Sequence, residues 1–305
     1  MSAVFDRIAI LGIGLIGSSI ARAARATGAA GAIALFDADA NVRKRARELN
    51  LGEVFGDAPA AVANADLIVL SVPVGAMGAA AAAIKDHLKP GAIVTDTGSV
   101  KRAVIDALAS HIPSHATLVP GHPLAGTEHS GPDSGFATLF QNRWLILTPL
   151  AESDTAAVQK LSAFWQALGA QVEVMDADRH DVVLAVTSHL PHLIAFNIVA
   201  MAEDLESVTE SEVVKFSASG FRDFTRIAAS DPTMWRDVFL NNKEAVLEVL
   251  QRFTEDLTAL QRAIRWGEGD KLYDIFDRAR RMRREVIDAG QDTAAPNWGR
   301  DEPPS

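Results

Sequence analysis

The chain has 305 residues, a net charge of −10 and no cysteine, and 48% of its residues are hydrophobic. This length exceeds the size at which one hydrophobic core usually stops growing, so two domains are expected. The acidic balance argues against nucleic acid or an anionic membrane surface as the main partner. The lack of cysteine excludes disulfides, a thiolate nucleophile and a cysteine-ligated metal. With neither a targeting segment nor an uninterrupted apolar run of membrane-spanning length, the sequence predicts a cytoplasmic protein.

The first half of the chain alternates short aliphatic runs with helix-compatible stretches. The runs are continuously apolar, which is typical of parallel strands covered by helices on both faces. Strands are predicted at residues 8–11, 32–36, 67–72, 92–95, 117–119, 144–148 and 171–175. Helices are predicted at residues 18–27, 41–49, 100–111 and 154–168. This βαβ rhythm predicts an α/β fold with a doubly wound parallel sheet.

After Met175 the strand-like runs disappear. Helical patterns follow at residues 177–203, 210–221, 232–266 and 270–289. We therefore place a domain boundary near Asp176, with an α/β domain at residues 1–175 and an all-α domain at residues 176–290. Helices this long and apolar often pack against a second copy of themselves, which predicts a homodimer. Residues 291–305 are rich in proline, glycine and charge and are expected to be disordered.

A glycine-rich turn, Gly12-Ile13-Gly14-Leu15-Ile16-Gly17, follows the first predicted strand and opens the first helix. Gly12 permits the tight turn, Gly14 lets the backbone approach a pyrophosphate, and Gly17 allows close packing of helix on strand. Backbone N–H groups of this turn, including Leu15 and Ile16, would hold the phosphates at the positive end of the helix. In this context the motif predicts a Rossmann domain that binds a dinucleotide, with a merely structural turn as the alternative.

The second strand ends at Asp37, about twenty residues beyond the glycine turn, where a carboxylate can bind the adenosine ribose hydroxyls. It would repel a 2′-phosphate, so NAD is expected as the cofactor, with NADP as a secondary one. Asp39 competes for this role, and Arg43 and Lys44 in the next helix soften the discrimination. Ser71-Val72-Pro73 closes the third strand and is predicted to form a wall of the cofactor site through Ser71 and Pro73.

Two polar segments, residues 96–101 and 121–128, follow the fourth and fifth predicted strands. Ligands bind at the carboxyl ends of strands in open α/β sheets, so Ser99 and His122 are candidate site residues. A helix N-cap is the alternative role for Ser99. An ordinary loop histidine is the alternative for His122.

The segment Ser188-His189-Leu190-Pro191-His192 lies within a predicted helix. A proline there removes a backbone hydrogen bond and clashes with the carbonyl of Thr187, at a cost of about 3 kcal/mol. Such a kink favours a functional site. His189 and His192 share a helix face, but no third ligand has recognisable spacing, so no metal site is predicted.

A basic run at residues 220–228 stands out in this acidic chain. A guanidinium suits a carboxylate substrate, which makes Arg226 a candidate for substrate binding. A surface salt bridge with Asp223 is the alternative, more so for Arg222 than for Arg226.

Taken in chain order, the motifs are GxGxxG, DxGSVK, GHPxAGTE, SHLPH and FRDxTRIAxSDPxMW, the last at residues 221–235. Together they resemble the prephenate/arogenate dehydrogenase family of tyrosine biosynthesis, over nearly the whole chain to about residue 290. The resemblance implies a Rossmann domain followed by a helical dimerisation domain. It also implies an NAD-dependent oxidoreductase that converts prephenate to 4-hydroxyphenylpyruvate, arogenate to tyrosine, or both, with loss of CO₂.

The resemblance also implies roles for single residues. His122 matches the catalytic histidine at the ring 4-hydroxyl, and Ser99 matches the serine that orients this hydroxyl or the histidine. His192 matches a second active-site histidine, and Arg226 the arginine that binds a substrate carboxylate. We expect Arg226 to hold the side-chain carboxylate, since the ring carboxylate must leave.

Three further positions match the family motifs. Thr127 and Glu128 match residues at the pocket rim, where the glutamate is thought to gate access. His189 also lies in the motif, and we expect it to be a residue of the substrate site. The chain matches neither a chorismate mutase domain nor an ACT-type regulatory domain, so allosteric control by tyrosine through such a domain is not expected.

Two other functions stay open at this point. A 3-hydroxyacid or 6-phosphogluconate type of dehydrogenase would need a catalytic lysine in the helical domain, where the early helices offer only Lys215, outside the histidine motif. A non-catalytic NAD-binding sensor would not need His122, Ser99, His192 and Arg226 together.

Overall fold

The structure is a computed structural model that describes residues 3–127, 129–209 and 217–288. Its main feature is a six-stranded sheet in which all neighbouring strands are parallel. The strands are β1 (Phe5–Leu11), β2 (Ala30–Phe36), β3 (Glu53–Val54), β4 (Leu67–Leu70), β5 (Ile93–Asp96) and β6 (Thr117–Leu118). Their order, β3-β2-β1-β4-β5-β6, reverses direction between β1 and β4. The predicted doubly wound fold is therefore confirmed, and its ligand crevice is expected at this reversal.

Helices connect these strands: α1 (Leu15–Thr27), α2 (Ala40–Glu48), α3 (Ala58–Val62), α4 (Met77–Ile84) and α5 (Arg102–Leu108). Three of these elements, α3, α4 and β3, were not predicted, because each is short and the two helices are alanine-rich without a polar face. Successive residues of β1 belong to two different apolar clusters, Ile8 and Ile10 to one and Ala9 and Leu11 to the other. The sheet is therefore covered on both faces, which explains its continuously apolar strands.

A second, three-stranded sheet was not expected. It comprises β7 (Gly121–Pro123), β8 (Trp144–Leu147) and β9 (Gln171–Val174), with α6 (Thr155–Ala167) between the last two. β7 pairs antiparallel with β8, opposite to every pairing in the main sheet. The predicted strands at residues 144–148 and 171–175 thus exist, but they form a separate sheet with the segment that carries His122. β7 escaped prediction because glycine, histidine and proline are poor strand formers.

The remainder of the described chain is helical, as predicted. The helices are α7 (Ala177–Leu184), α8 (Leu190–Thr209), α9 (Ser219–Thr225), α10 (Pro232–Asn241), α11 (Lys243–Trp266) and α12 (Gly269–Asp288). The helix predicted at residues 232–266 is interrupted at Asn242, whose φ of −122° and ψ of 33° are not helical. Residues 210–216 of another predicted helix, and the tail at residues 291–305, lie outside the described residues.

By compactness the chain divides into two units, Met1–Leu247 and Glu248–Ser305. This division does not coincide with the boundary near Asp176, where the chain changes from mixed to purely helical structure. The domain division at residues 175/176 stays a prediction based on that change. All the site residues discussed below belong to the first unit.

One helical stretch, Ala177–Asp204, is long and apolar enough to cross a membrane by length and composition, with a mean hydropathy of 1.7. Polar residues such as His180, Asp181 and His189 interrupt its apolar runs, which is why the sequence pattern did not predict it. The stretch carries His180, Asp181 and His189, whose side chains are buried and hydrogen-bonded to other parts of the protein. These contacts tie the stretch to the rest of the protein through its polar side chains.

Gly17 and Gly14 provide a matched test of the packing of α1. A Cβ on Gly17 would lie 2.0 Å from the Gly12 carbonyl oxygen, whereas a Cβ on Gly14 would meet nothing within 4 Å. We expect Gly17→Ala to lower the free energy of unfolding by about 2 kcal/mol or more, because overpacking against backbone exceeds the roughly 1 kcal/mol gain in helix propensity. Gly14→Ala should lower it by less than about 1 kcal/mol. Urea unfolding without cofactor measures both, and equal stability of the two variants would contradict this account.

Candidate active site

The glycine turn lies at the point where the strand order reverses. Gly12 has a φ of +96°, and a Cβ there would lie 2.2 Å from the carbonyl oxygen of Ser71, just beyond the end of β4. Gly14 precedes the first residues of α1, Leu15 and Ile16, and the space around its Cβ position is open. A backbone this exposed at a helix N-terminus can accept a pyrophosphate. The residues present therefore fit a dinucleotide.

Asp37 follows β2 directly and is half-buried. Its carboxylate accepts the N–H of Ile13 at 2.8 Å and the N–H of Asp39 at 2.9 Å. The competing Asp39 instead caps α2 by accepting the N–H of Asn41 at 2.7 Å. Arg43 donates to the Asp37 carbonyl at 2.6 Å. Asp37 is thus tied to the glycine turn, whereas Asp39 stabilises a helix.

Ser71 and Pro73 lie on the other side of the turn. The Ser71 N–H donates to Leu11 at 2.7 Å, and its hydroxyl accepts from Thr97 at 3.2 Å. Pro73 begins the short helical turn Val74–Ala76. Both residues therefore line the carboxyl edge of the sheet, beside the segment that leads to Ser99.

A buried ion pair joins the two sheets. Lys101 and Asp96 form it with fully buried side chains, and Lys101 Nζ also donates to the Gly121 carbonyl at 2.6 Å. Asp96 accepts the N–H of Gly98 at 2.8 Å and that of Gly121 at 3.1 Å. A buried charge pair is tolerated when its remaining hydrogen-bonding capacity is used, as it is here. The pair anchors β7, and with it His122, to the carboxyl end of β5.

His122 is the first member of a hydrogen-bonded chain of three buried side chains. Its Nδ1 lies 2.9 Å from Nε2 of His180, and Nδ1 of His180 lies 2.8 Å from an oxygen of Asp181. The two rings meet edge to face, with centroids 5.1 Å apart. Among the described residues, Nε2 of His122 has no hydrogen-bond partner. This nitrogen is therefore available to a ligand.

Asp181 also caps a helix of the first half of the chain. Its two oxygens accept the N–H groups of Lys101, at 2.7 Å, and of Arg102, at 2.9 Å, at the start of α5. The alternative role of Ser99 as the N-cap is therefore wrong, because a residue from α7 does the capping. Ser99 is half-buried, and its hydroxyl makes no hydrogen bond within the described part of the chain.

The proline motif produces a π-helical turn instead of a sharp kink. Residues Ala185–His189 form this turn between α7 and α8, directly before Leu190-Pro191. A π-turn inserts one extra residue, which relieves the clash that Pro191 would cause in a continuous α-helix. His189 is fully buried at its end, and its Nδ1 lies 3.1 Å from the side-chain nitrogen of Asn242. That amide also donates to the Asp181 carbonyl at 2.9 Å.

His192 stacks on Trp235, with ring centroids 3.8 Å apart and an interplanar angle of 24°. His189 contacts the same indole edge to face, with ring centroids 6.1 Å apart. Nδ1 of His192 lies 2.8 Å from the Ser188 carbonyl. The positive charge of the exposed Arg226 is near enough to lower the pKa of His192, after the larger effect of burial. The structure thus brings His189, His192 and Arg226 together.

Every histidine of this cluster has a pKa below its ordinary value. Burial is the main cause for His122, whose pKa falls well below 6.5, and the neighbouring His180, Lys101 and His189 lower it further. Burial also lowers the pKa of His180, against the opposing effect of Asp181. The pKa of His189 falls to about 4 for the same reason. The imidazoles are therefore neutral at neutral pH, which suits His122 to accept a proton.

Thr127 lies in the exposed loop after β7, where its hydroxyl accepts the His129 N–H at 3.3 Å. Glu128 lies outside the described residues. The continuation of this loop is fastened to α1: Arg22 donates to the Pro132 carbonyl at 3.0 Å, and Ser19 accepts the Phe136 N–H at 3.1 Å. The rim position expected for Thr127 is therefore on a loop anchored beside the glycine turn.

Sequence reasoning missed His180, Asp181 and Asn242. His180 is 58 positions from His122, and Asn242 is 53 from His189. No short motif links residues so far apart, and the adjacent pair His180-Asp181 at the start of the predicted helical domain was the only sign. In the part of the chain that the structure describes, no group of three His, Cys, Asp or Glu side chains could hold a metal ion.

Two family models match this chain. Residues 20–174 match the family model of the prephenate dehydrogenase nucleotide-binding domain, and residues 176–278 match that of the prephenate dehydrogenase dimerization domain. A cyclohexadienyl dehydrogenase from Zymomonas mobilis is 47% identical over 281 residues, covering 92% of this chain and 96% of the relative.

Two solved structures are similar over 92% of this chain. Prephenate dehydrogenase from A. aeolicus, in complex with hydroxyphenyl propionate and NAD+, has a TM-score of 0.86 and 33% identity, with 98% of that chain covered. Synechocystis arogenate dehydrogenase has a TM-score of 0.76 and 26% identity, with 99% of that chain covered. The chain therefore belongs to the prephenate dehydrogenase family of oxidoreductases.

Proposed function

We propose that this protein catalyses the NAD-dependent oxidative decarboxylation of prephenate to 4-hydroxyphenylpyruvate, of arogenate to tyrosine, or of both. The observation that carries the proposal is the neutral, buried His122. Its Nε2 is open to a ligand at the sheet edge that also holds the dinucleotide turn. The family membership and the NAD+ complex of the A. aeolicus relative support the same assignment.

The glycine turn and Asp37 are the residues that would hold NAD. Backbone N–H groups at Gly14, Leu15 and Ile16 would bind the pyrophosphate, and the carboxylate beside the turn would favour a free ribose 2′-hydroxyl over a 2′-phosphate. When bound, the nicotinamide accepts the hydride from ring C4 of the substrate. Ser71 and Pro73 line this part of the site.

His122 would move one proton in both directions. Its neutral Nε2 takes the proton of the ring 4-hydroxyl while C4 is oxidised to a carbonyl. Loss of CO₂ from C1 then returns an electron pair to the ring and leaves a phenolate oxygen. The imidazolium gives the proton back to that oxygen, so protons balance over the reaction. The half-buried Ser99 would orient the hydroxyl, since its own hydroxyl is not hydrogen-bonded within the described residues.

Arg226 and His192 would bind the side chain of the substrate. A charge-assisted bond to a carboxylate is worth about 1.5–3 kcal/mol and fixes the orientation of the ring. The Trp235 ring holds His192 by stacking, beside Arg226. Gripping the side-chain carboxylate leaves the ring carboxylate free to depart. Thr127, Glu128 and His189 stay proposed as members of the pocket and its rim.

No observation favours the other two functions. Lys215, which a 3-hydroxyacid type of mechanism would need, lies outside the described residues. A purely NAD-binding sensor leaves the assembly of His122, His180, His189 and His192 without a purpose.

The direct test is formation of NADH, followed by its near-ultraviolet absorbance, with prephenate and with arogenate in turn. If the protein turns over neither prephenate nor arogenate, the proposal is refuted. The ratio of the kcat/KM values for the two substrates, measured with NAD and then with NADP, identifies the preferred substrate and cofactor.

We further propose that the protein acts as a homodimer in the cytoplasm. The stretch Ala177–Asp204 exposes apolar side chains on its outer face, including Val186 at 51% and Met201 at 52%. Such a face is stable in water when a second copy covers it. The match to a dimerization domain supports this assignment. Light scattering coupled to size exclusion should give twice the chain mass, and a monomer at micromolar concentration would contradict the dimer.

For His122, we expect His122→Asn to lower kcat by about 10³-fold or more, because the amide cannot accept the proton. Binding of NAD, measured by calorimetry, should be unchanged. In the unaltered protein kcat should fall only at a pH below about 6.5, since activity is lost as His122 becomes protonated and its pKa lies well below that value. Turnover within tenfold of normal in the variant would remove His122 from the mechanism.

For Arg226, we expect Arg226→Ala to raise KM by about 10- to 100-fold, which is the loss of one charge-assisted hydrogen bond, with a much smaller change in kcat. Arg236→Ala is the control, because Arg236 is also an exposed arginine close to Arg226 in sequence, and its guanidinium is paired with Asp237 at 2.7 Å. The control should keep both constants. A large loss of kcat at unchanged KM would refute side-chain carboxylate binding by Arg226.

A further inference from the structure

We propose that His180 is a positioning residue that holds His122 in the tautomer with a free lone pair on Nε2, using Asp181 as its own anchor. The inference deepens the proposed function and rests on the role given there to His122. It follows from the hydrogen-bonded order Asp181, His180, His122 along buried side chains.

The tautomers follow from the anchor at one end of the chain. The pKa of Asp181 lies below its ordinary value: burial would raise it, but the hydrogen bonds from His180, Arg102 and Lys101 lower it overall. Asp181 is therefore a carboxylate and can only accept hydrogen bonds. Nδ1 of His180, at 2.8 Å, must then carry the hydrogen. The reverse tautomer would place a lone pair against a carboxylate oxygen.

The tautomer of His180 determines the tautomer of His122. With its hydrogen on Nδ1, neutral His180 presents a lone pair at Nε2, which lies 2.9 Å from Nδ1 of His122. Nδ1 of His122 must then donate, and the hydrogen of the neutral ring resides there. Nε2 of His122 is left unprotonated. This is the nitrogen that has no partner among the described residues and is open to the substrate hydroxyl.

The charged groups around His180 favour this arrangement. Burial lowers the pKa of His180 overall; Asp181 opposes this effect, Lys101 adds to it, and Asp96 partly offsets Lys101. His122 faces His180, Lys101 and His189. Because Lys101 is paired with Asp96, Asp181 supplies the negative charge that the transient His122 imidazolium needs. That imidazolium donates through Nδ1 to His180 while Nε2 holds the substrate proton.

Two substitutions separate the hydrogen bonds from the shape of the ring. His180→Gln replaces the imidazole by an amide, whose oxygen can accept from His122 while its NH₂ group donates to Asp181. His180→Phe keeps a ring that can pack edge to face on His122 but removes both nitrogens. Thermal unfolding checks that each variant folds, and NAD affinity checks that the cofactor site is intact.

We expect His180→Phe to lower kcat by about 10²–10⁴-fold with little change in KM, and His180→Gln to stay within about tenfold of the unaltered protein. If His180 only stabilised the fold, the glutamine variant would have no reason to turn over faster than the phenylalanine variant. Loss of kcat in His180→Gln as large as in His180→Phe would overturn the proposal. So would a kcat of His180→Phe within threefold of normal.

The tautomer itself is visible without turnover. In ¹⁵N-histidine spectra of the unaltered protein near neutral pH, the resonances that disappear in His122→Asn should show a protonated Nδ1 and an unprotonated Nε2. A protonated Nε2 would overturn the proposal even if no His180 variant folds. Failure of the proposed function is distinct, because it would appear as absence of prephenate and arogenate oxidation by the unaltered protein.

Discussion

Both carboxylate oxygens of Asp181 accept hydrogen bonds, and the geometry of the site depends on these bonds. They accept the backbone N–H groups that begin α5 and the Nδ1–H of His180. The backbone carbonyl of the same residue receives the amide of Asn242, which also contacts His189. One residue of α7 thereby aligns the sheet edge that carries Ser99 with both histidine-bearing segments. Its displacement would leave orphan donors at a helix N-terminus, a buried histidine and a buried amide.

Charge in this region is neutralised in pairs. Lys101 is balanced by Asp96, and both are completely buried where the two sheets meet. Asp181 stays ionised, so among the described charges that act on His180 the unbalanced one is negative, and it lies at the end of the hydrogen-bonded chain away from Nε2 of His122. Burial keeps the imidazoles neutral at rest, while this negative end lowers the energy of the imidazolium formed during proton transfer. The same low-polarity surroundings thus serve both protonation states.

The sequence was sufficient for features that depend on local patterns. The parallel sheet, the glycine turn, Asp37 and the histidine-proline motif all follow from residues close together in the chain. The short β7, with its glycine, histidine and proline, was missed because its pairing with β8 is a tertiary effect. A helix cap was the alternative role for Ser99, but the cap comes from Asp181, which is distant in sequence. His180 escaped notice because its meaning lies in a contact with His122, which no periodicity encodes.

The π-turn at Ala185–His189 makes the helix unusually sensitive to its length. Removing one residue from it would rotate the part of α8 beyond the turn by about 100° relative to α7, and it would bring back the clash of Pro191 with the preceding helical turn. His192 would then leave the face of Trp235, while His180 kept its place. Proton transfer and substrate anchorage, which lie on opposite sides of the turn, could thus be uncoupled by a single deletion. The extra residue therefore sets the rotation of α8 relative to α7 about their common axis.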